Sequence, residues 1–214
     1  MNDDVSRART NYARGELGDA AVAADPFVQF GAWFEGARSA DIREPHAMTL
    51  ATADSSAKPS ARTVLLRGWD ERGFVFYTNY GSRKGQEIDA NPFAALLFFW
   101  SALERQIRIE GPIIPIDEAD SDAYFASRPR GHRLSAWASP QSTVVTSRTV
   151  LEARMSEYEA MYPDENVPRP PFWGGYRVIP DRFEFWQGRL NRVHDRIAYE
   201  RNAEGKWHTV RLAP

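Results

Sequence analysis

The sequence predicts a mainly β protein with packed helices, an α+β fold in which the strands form a barrel. Short strand-like segments follow one another closely over residues 47–110 and again from residue 173 to the end, with turn residues between them. Closely spaced short strands are typical of antiparallel barrels and sandwiches. Four segments with helical patterns begin near residues 25, 83, 117 and 147, and we expect them to pack on the strands.

Composition limits the class of protein. A chain of 214 residues with 43% hydrophobic residues suits one globular domain. A net charge of -2 does not indicate nucleic-acid binding. The absence of cysteine excludes disulfides and thiolate chemistry, and the four histidines lack metal-ligand spacing. No signal pattern or apolar run long enough for a bilayer occurs, so we expect a cytoplasmic protein with no membrane partner.

The N-terminal part divides into an arm and the start of the domain. Residues 1–24 are polar and alanine-rich, and we interpret them as a partly helical arm that could act as a mobile lid. Residues 25–214 then form a single domain. Asp25 and Pro26 predict a helix start, with Asp25 as N-cap, and an apolar stripe at helical spacing follows.

The remaining elements follow from apolar patterns and turn residues. Residues 93–100 form an apolar run that predicts a buried strand. Residues 105–110 alternate between polar and apolar, which places Gln106 on the solvent-exposed face of its strand. Further helices are predicted over residues 83–90, 117–125 and 147–161. The predicted strands cover residues 47–53, 62–67, 74–78, 93–100, 105–110, 173–178, 183–186, 197–199 and 207–212.

Basic residues occur in several local clusters. Arg83 and Lys84 lie at a predicted helix start, where free N–H groups favour phosphate but two cations disfavour the helix itself. A locally disfavoured arrangement of this kind often marks a site, although a solvated pair is the simpler reading. The other clusters are Arg62 with Arg67, and Tyr124, Arg128, Arg130, His132 and Arg133. Together they predict two phosphorylated small molecules or one large one.

A third basic segment lies near the C-terminus. Arg192 and His194 are two residues apart, so on an extended strand they would project from one face. Two such donors could grip and polarise a small anionic ligand. The alternative is an amphipathic edge strand with solvated arginines. Neither of the glycine-rich phosphate-binding motifs occurs, which disfavours a dinucleotide-binding fold.

With these segments in order, the chain resembles the pyridoxine (pyridoxamine) 5'-phosphate oxidase family over nearly its whole length. The matching motifs are RTVLL at 62–66, FYTN at 76–79, SRKG at 82–85, ERQ at 104–106, YFASRPR at 124–130, AWASPQS at 136–142, WGGYR at 173–177, EFWQG at 184–188, RVHDR at 192–196 and RLAP at 211–214. The resemblance implies an FMN-binding split β-barrel and a homodimer with FMN at the interface.

The resemblance also implies the ligands. Cofactor contacts would come from Arg62, Thr63, Val64, Leu65, Leu66, Arg67, Tyr77, Thr78, Arg83, Lys84, Gln106, Gln141, Ser142, Trp186 and Arg196. Substrate contacts would come from Arg9, Tyr12, Arg67, Tyr124, Arg128, His132, Arg192 and His194, with Arg192 and His194 as the catalytic residues. The implied reaction oxidises a phosphorylated vitamin B6 compound to pyridoxal 5'-phosphate with O2, and releases H2O2, and NH3 from the amine.

Two positions depart from the family pattern near the expected substrate phosphate: Arg67 replaces the usual lysine, and His132 replaces a usual serine. Elsewhere, Ser135 replaces a usual glycine. These departures leave room for an oxidase of the same fold that acts on another ring compound, such as a phenazine precursor. A non-catalytic flavin or pyridoxal-phosphate carrier is a further alternative, since it could dispense with Arg192 and His194. A purely structural protein would leave the polar clusters unexplained.

Overall fold

The computed structural model describes residues 11–202 and 204–214. Their Cα positions form two compact units. The first contains the described residues up to Thr49 together with Leu96–Glu110 and Pro180–Pro214, and the second contains Leu50–Ala95 and Gly111–Ile179. Three strands have residues in both units: β1 (Ala47–Ala53), β5 (Phe93–Trp100) and β6 (Arg105–Pro115).

The first unit contains a long helix and an antiparallel sheet. Helix α1 (Pro26–Ser39) begins as predicted, because the Asp25 side chain accepts a hydrogen bond from the Phe27 amide at 2.7 Å. Strand β6 pairs with β8 (Arg182–Gln187), β8 with β9 (Asp195–Arg201), and β9 with β10 (Trp207–Arg211). Aromatic contacts fill the core, such as Trp33 against Phe185 with ring centroids 5.2 Å apart.

The second unit contains further strands of the sheet and four helices. Strand β4 (Gly73–Asn79) pairs with β3 (Gly68–Asp70) and β7 (Trp173–Val178), and β7 pairs with the end of β6. Strand β2 is Pro59–Leu65. The helices are α2 (Arg83–Ala90), α3 (Glu118–Ser127), α4 (Arg130–Ala138) and α5 (Arg148–Met161). The strand pairs named above are antiparallel, and the fold confirms the predicted mainly β class with packed helices.

Three local predictions were wrong in detail. The strand predicted over 62–67 ends at Leu65, and a short strand, β3, begins at Gly68. Helix α4 was not predicted, because its three buried residues, Leu134, Ala136 and Ala138, are too few to form an apolar stripe among its glycine and charged residues. Strand β5 is buried on one face only, since Leu96 and Phe98 are inaccessible whereas Phe99 is 55% exposed.

One tight turn decides how α2 begins. Ser82 is the N-cap, and its hydroxyl accepts a hydrogen bond from the Gly85 amide at 3.4 Å. A Cβ at Gly85 would lie 2.0 Å from the Tyr80 carbonyl oxygen, so only glycine fits there. The helix start therefore packs against the end of β4, which brings Lys84 beside Thr78.

Candidate functional site

A cavity of about 1240 Å³ lies within the second unit. Single-ligand pockets measure roughly 300–1,000 Å³, so this one has room for more than one small molecule. Leu66 is buried in the core and does not line the cavity. The predicted ligands that do line it are Arg62, Thr63, Val64, Leu65, Arg67, Tyr77, Thr78, Arg83, Lys84, Tyr124, Arg128, His132, Gln141 and Ser142.

A buried carboxylate that was not predicted joins two of the basic clusters. The Arg62 guanidinium donates to Glu87 Oε2 at 3.0 Å, and Arg83 Nε donates to Glu87 Oε1 at 2.8 Å. The hydroxyls of Thr52 and Ser60 donate to the same carboxylate at 2.5 and 2.6 Å. Glu87 thus holds both arginines at one edge of the cavity. The four-residue spacing from Arg83 on a predicted helix was the signal that could have revealed it.

The charge of Glu87 is strongly stabilised. Burial alone would raise the pKa of this carboxyl group, but hydrogen bonds from Ser60, Thr52, Arg83 and Arg62 outweigh burial and lower the pKa to about 2. Glu87 is therefore ionised at neutral pH and fixes the geometry of both guanidinium groups.

Lys84 presents a buried ammonium group at the same edge. Its Nζ donates to Gln141 Oε1 at 2.8 Å and to Thr78 Oγ1 at 3.2 Å. Burial and the nearby charge of Arg62 together lower the pKa of Lys84 to about 8, against the opposing effect of Glu87. A buried cation destabilised in this way favours an anionic ligand. Arg62, Arg83 and Lys84 therefore fit a phosphate group such as that of FMN.

A second group of cations lies beside an aromatic stack. The rings of Tyr77 and Tyr124 stack with centroids 3.8 Å apart, and the Trp173 ring is nearly parallel to that of Tyr124. The Arg128 guanidinium lies over Trp173, 4.6 Å from the ring centroid. Buried Nη1 of Arg128 has no hydrogen-bond partner in the described part of the chain. Such an unpaired buried donor is rare and fits a ligand that accepts hydrogen bonds.

The positive charges near Arg128 are only partly compensated. Burial lowers the pKa of Arg128, and Arg67 lowers it further, whereas Tyr124 raises it. Arg67 and His132 line the cavity with Arg128, as does Ser135, another of the positions that depart from the family pattern. Two guanidinium groups and an imidazole that line the same cavity can hold a second phosphate.

The first unit holds the other predicted ligands. Strand register places Gln106 opposite Trp186, and Trp186 opposite Arg196, so the three form one row across β6, β8 and β9. Arg196 is engaged within this unit, since it binds both carboxylate oxygens of Glu184 at 2.9 and 3.1 Å. Glu184 thereby fixes the direction of Arg196, much as Glu87 fixes Arg62.

Arg192 and His194 do not lie on a strand, so the expectation of one shared strand face was wrong. Arg192 ends a 3₁₀ turn, Leu190–Arg192, and has a left-handed φ of 61°, and β9 begins only at Asp195. A left-handed backbone at a residue with a Cβ is strained and is often found at functional sites. This turn was not predicted, because neither glycine nor proline lies within it.

Aromatic rings surround His194. Its imidazole lies 4.7 Å from the Trp186 ring and 5.7 Å from the Tyr12 ring, between centroids. Burial lowers the pKa of His194, and Arg192 lowers it further, which favours the neutral imidazole. Tyr12 belongs to the predicted arm and closes over this histidine, whereas Arg9 lies outside the described residues.

Ion pairs and backbone hydrogen bonds hold the described part of the arm on the first unit. The Leu17 amide donates to Asp195 Oδ2 at 3.0 Å, and Arg211 binds both Asp19 and Asp195, at 2.7 and 2.8 Å. Gly188 leaves room for the arm, because a Cβ there would lie 2.8 Å from Tyr12. The arm is therefore fixed beside Asp195, the residue that follows His194.

Two other kinds of site are absent from the residues that the structure describes. These residues include no group of three or more histidine, cysteine, aspartate or glutamate side chains that could hold a metal ion. Among the same residues, none of the helices is long and apolar enough to cross a membrane.

Comparison with known proteins identifies the family. Residues 34–162 match the family described as "Pyridoxamine 5'-phosphate oxidase", and residues 173–214 match "Pyridoxine 5'-phosphate oxidase C-terminal dimerisation region", which supports a homodimer. The chain is 57% identical over 211 residues to pyridoxine/pyridoxamine 5'-phosphate oxidase of Rubrobacter xylanophilus, covering 99% of this chain and 97% of that protein. Identity to the protein of the same name from Synechocystis is 54%, covering 99% and 100%.

Solved structures agree with this assignment. PhzG from Burkholderia lata, in complex with tetrahydrophenazine-1-carboxylic acid, has a TM-score of 0.87 at 33% identity, covering 93% of this chain and 98% of that one. A pyridoxamine 5'-phosphate oxidase-related, FMN-binding protein from Nostoc punctiforme has a TM-score of 0.69 at 20% identity, over 89% and 98%, and supports the fold alone. The chain therefore belongs to the pyridoxine/pyridoxamine 5'-phosphate oxidase family and is an FMN-dependent enzyme with the FMN-binding split-barrel fold.

Proposed function

We propose that the protein oxidises pyridoxine 5'-phosphate or pyridoxamine 5'-phosphate to pyridoxal 5'-phosphate in the cytoplasm, in the pathway that makes this cofactor. Bound FMN would supply the redox chemistry. The C4' carbon of the substrate loses two electrons and a proton, its hydroxyl or amino group loses a second proton, and O2 takes up both electrons and both protons to form H2O2. The amine substrate also consumes one water and releases NH3. The observation that carries the proposal is the unpaired, buried Nη1 of Arg128 in a cavity that already holds another set of phosphate ligands.

The residues divide by the group that they hold. Arg62, Arg83 and Lys84 bind the cofactor phosphate, since Glu87 and Gln141 already fix their positions. The other proposed FMN ligands are Thr63, Val64, Leu65, Leu66, Arg67, Tyr77, Thr78, Gln106, Gln141, Ser142, Trp186 and Arg196. FMN at the interface of a homodimer would take some of these residues from each subunit.

The substrate phosphate is assigned to Arg67, Tyr124, Arg128 and His132. Arg67 retains the positive charge of the usual lysine and adds a planar pair of donors, and His132 adds a further donor. Arg192 and His194 orient the substrate and polarise it, while Tyr12, and Arg9 on the arm, cover it. Tyr12 already contacts the rings of Trp186 and His194, which supports this covering role.

Absorbance spectroscopy tests the proposal directly. The purified protein should show a flavin band, and anaerobic addition of pyridoxine 5'-phosphate should bleach it, with H2O2 formed when air is admitted. A carrier would keep the band unchanged on addition of substrate. Absence of flavin from the purified protein, together with failure to take up added FMN, would contradict the cofactor site as well.

A second candidate is oxidation of another ring compound, and the similarity to PhzG favours it. The two functions differ in their need for a phosphate. If Arg67 and Arg128 hold a substrate phosphate, unphosphorylated pyridoxine should be turned over far more slowly than its phosphate. Equal turnover of the two compounds would favour the alternative.

A further inference from the structure

The loop before β9 directs a backbone amide at the imidazole of His194. The N–H of Arg189 donates to Nδ1 of His194 across 3.1 Å. A backbone amide can only donate, so Nδ1 must present its lone pair. A neutral imidazole has one proton for its two nitrogens, and that proton is therefore on Nε2.

The loop is built to make this contact. The Gly188 amide donates to the Glu104 carbonyl at 2.8 Å, and the Val193 amide donates to the Leu190 carbonyl at 3.2 Å. Between these bonds the backbone reverses through two successive left-handed residues, Asn191 and Arg192. The reversal returns residue 194 to the amide of residue 189, so the strained turn and the imidazole orientation belong together.

We propose that His194 faces the substrate as a neutral Nε2–H donor, not as a base. The inference rests on the proposed function, because it assigns the chemistry of one residue of that site. Nε2 bears a proton and has no lone pair in this tautomer, so it cannot remove a proton from the substrate. It can donate to a substrate oxygen that carries negative charge, and no proton transfer at His194 is involved.

The surroundings of His194 favour the neutral form. Tyr12 and Trp186 cover the ring, and Arg192 places a positive charge nearby. The guanidinium of Arg189 is paired with Glu16 at 2.9 Å and lies 3.7 Å from an Asp195 oxygen. A proton added to Nδ1 would oppose the Arg189 amide and break its hydrogen bond, which explains why the charged form is disfavoured.

Nitrogen NMR measures the tautomer without any substrate. The protein has four histidines, so selective ¹⁵N-histidine labelling of the FMN-bound protein gives few signals, and a His194→Gln sample identifies those of His194. Near pH 7.5 we expect a protonated Nε2 and an unprotonated Nδ1. Protonation at Nδ1, or a doubly protonated ring at this pH, would overturn the proposal even if the protein proves to be an active oxidase.

A matched pair of variants tests the donor role. The amide of His194→Gln can place an N–H near the position of Nε2, whereas the shorter His194→Asn reaches only the position of Nδ1. We expect kcat/KM of the Gln variant to exceed that of the Asn variant by about tenfold or more, the loss for one hydrogen bond to a charged group. Equal losses with FMN retained would contradict the donor role. If either variant fails to bind FMN, the NMR result decides.

The pH profile adds a readout that a structural role would not affect. Wild-type kcat/KM should fall on the acid side as His194 gains a proton and loses the Arg189 contact, and the profile of His194→Gln should lack that fall. The same acid limb in both proteins would show that another group is responsible and would contradict the proposal.

Discussion

Lys84→Met tests the proposed cofactor phosphate site most directly. The pKa of Lys84 falls from 10.5 to about 8 because burial and Arg62 disfavour the ammonium charge. A shift of this size means that the ligand-free fold disfavours the charged lysine by about 3 kcal/mol at pH 7. The substitution removes that penalty but also removes hydrogen bonds to Thr78, Ser82 and Gln141, of about 1 kcal/mol each. The two effects nearly cancel, so we expect the FMN-free variant to be about as stable as the wild type at pH 7.

The stabilities of the wild type and of Lys84→Met should depend differently on pH. Lys84 in the folded, FMN-free protein loses its proton near pH 8, whereas the unfolded chain keeps it to near pH 10.5. The unfolded state therefore binds more protons between these values, and the wild type gains up to about 1.4 kcal/mol of stability per pH unit relative to Lys84→Met. Urea unfolding of both proteins at pH 7 and pH 9 measures this difference.

Whereas the stability of the FMN-free wild type should rise with pH, its affinity for FMN should fall. Loss of a charged hydrogen bond of about 1.5–3 kcal/mol should weaken binding at pH 7 by roughly ten- to a hundred-fold in Lys84→Met. Above pH 8 the wild type must take up a proton to form its phosphate contact, so its Kd rises, while that of the variant shows no rise from this group. Quenching of flavin fluorescence measures both, with riboflavin as the control ligand that has no phosphate. Unchanged FMN affinity, or an equal loss for riboflavin, would refute the reasoning.

Three further substitutions address the other groups. Arg192→Ala should lower kcat/KM by about ten- to a hundred-fold while FMN stays bound, because one charged donor to the substrate is lost; unchanged steady-state kinetics would contradict its role. Glu87→Gln should lower the unfolding free energy at pH 7 by about 2–3 kcal/mol. The carboxyl group of Glu87 has a pKa of about 2 in the folded protein and 4.5 in the unfolded chain. Its charge therefore stabilises the fold above pH 4.5, and this effect is lost as the pH falls towards 2. Urea unfolding at pH 7 and pH 3 tests it, and a wild-type acid dependence in the variant would count against the assignment. Gly188→Ala would place a Cβ 2.8 Å from Tyr12 and should raise KM by displacing that ring, without changing the Kd of FMN; unchanged kinetics would mean that Tyr12 does not cover the substrate.

Local sequence rules predicted the elements whose ends are fixed by nearby residues. Asp25 and Pro26 predicted the start of α1, because a cap acts on amides two or three residues away. The start of α2 at Arg83 was also predicted, and Ser82 caps it. Helix α4 was missed since its burial depends on packing against α5 and the β7 tryptophan, which no local pattern reveals. The one-sided burial of β5 was missed for a similar reason, because an apolar run does not indicate which face is covered.

The sequence by itself determined the family, the cofactor and the residue types of both proposed phosphate sites, since these depend on motifs that can be read in order along the chain. Only the tertiary structure decided how they are held. The fold brings Arg62 and Arg83 to the single carboxylate of Glu87 and leaves one nitrogen of Arg128 without a hydrogen-bond partner among the described residues. It also reverses the chain at Arg192, so that a backbone amide fixes the tautomer of His194. These features depend on contacts between distant residues and on left-handed backbone angles, and neither is encoded by the spacing of residue types.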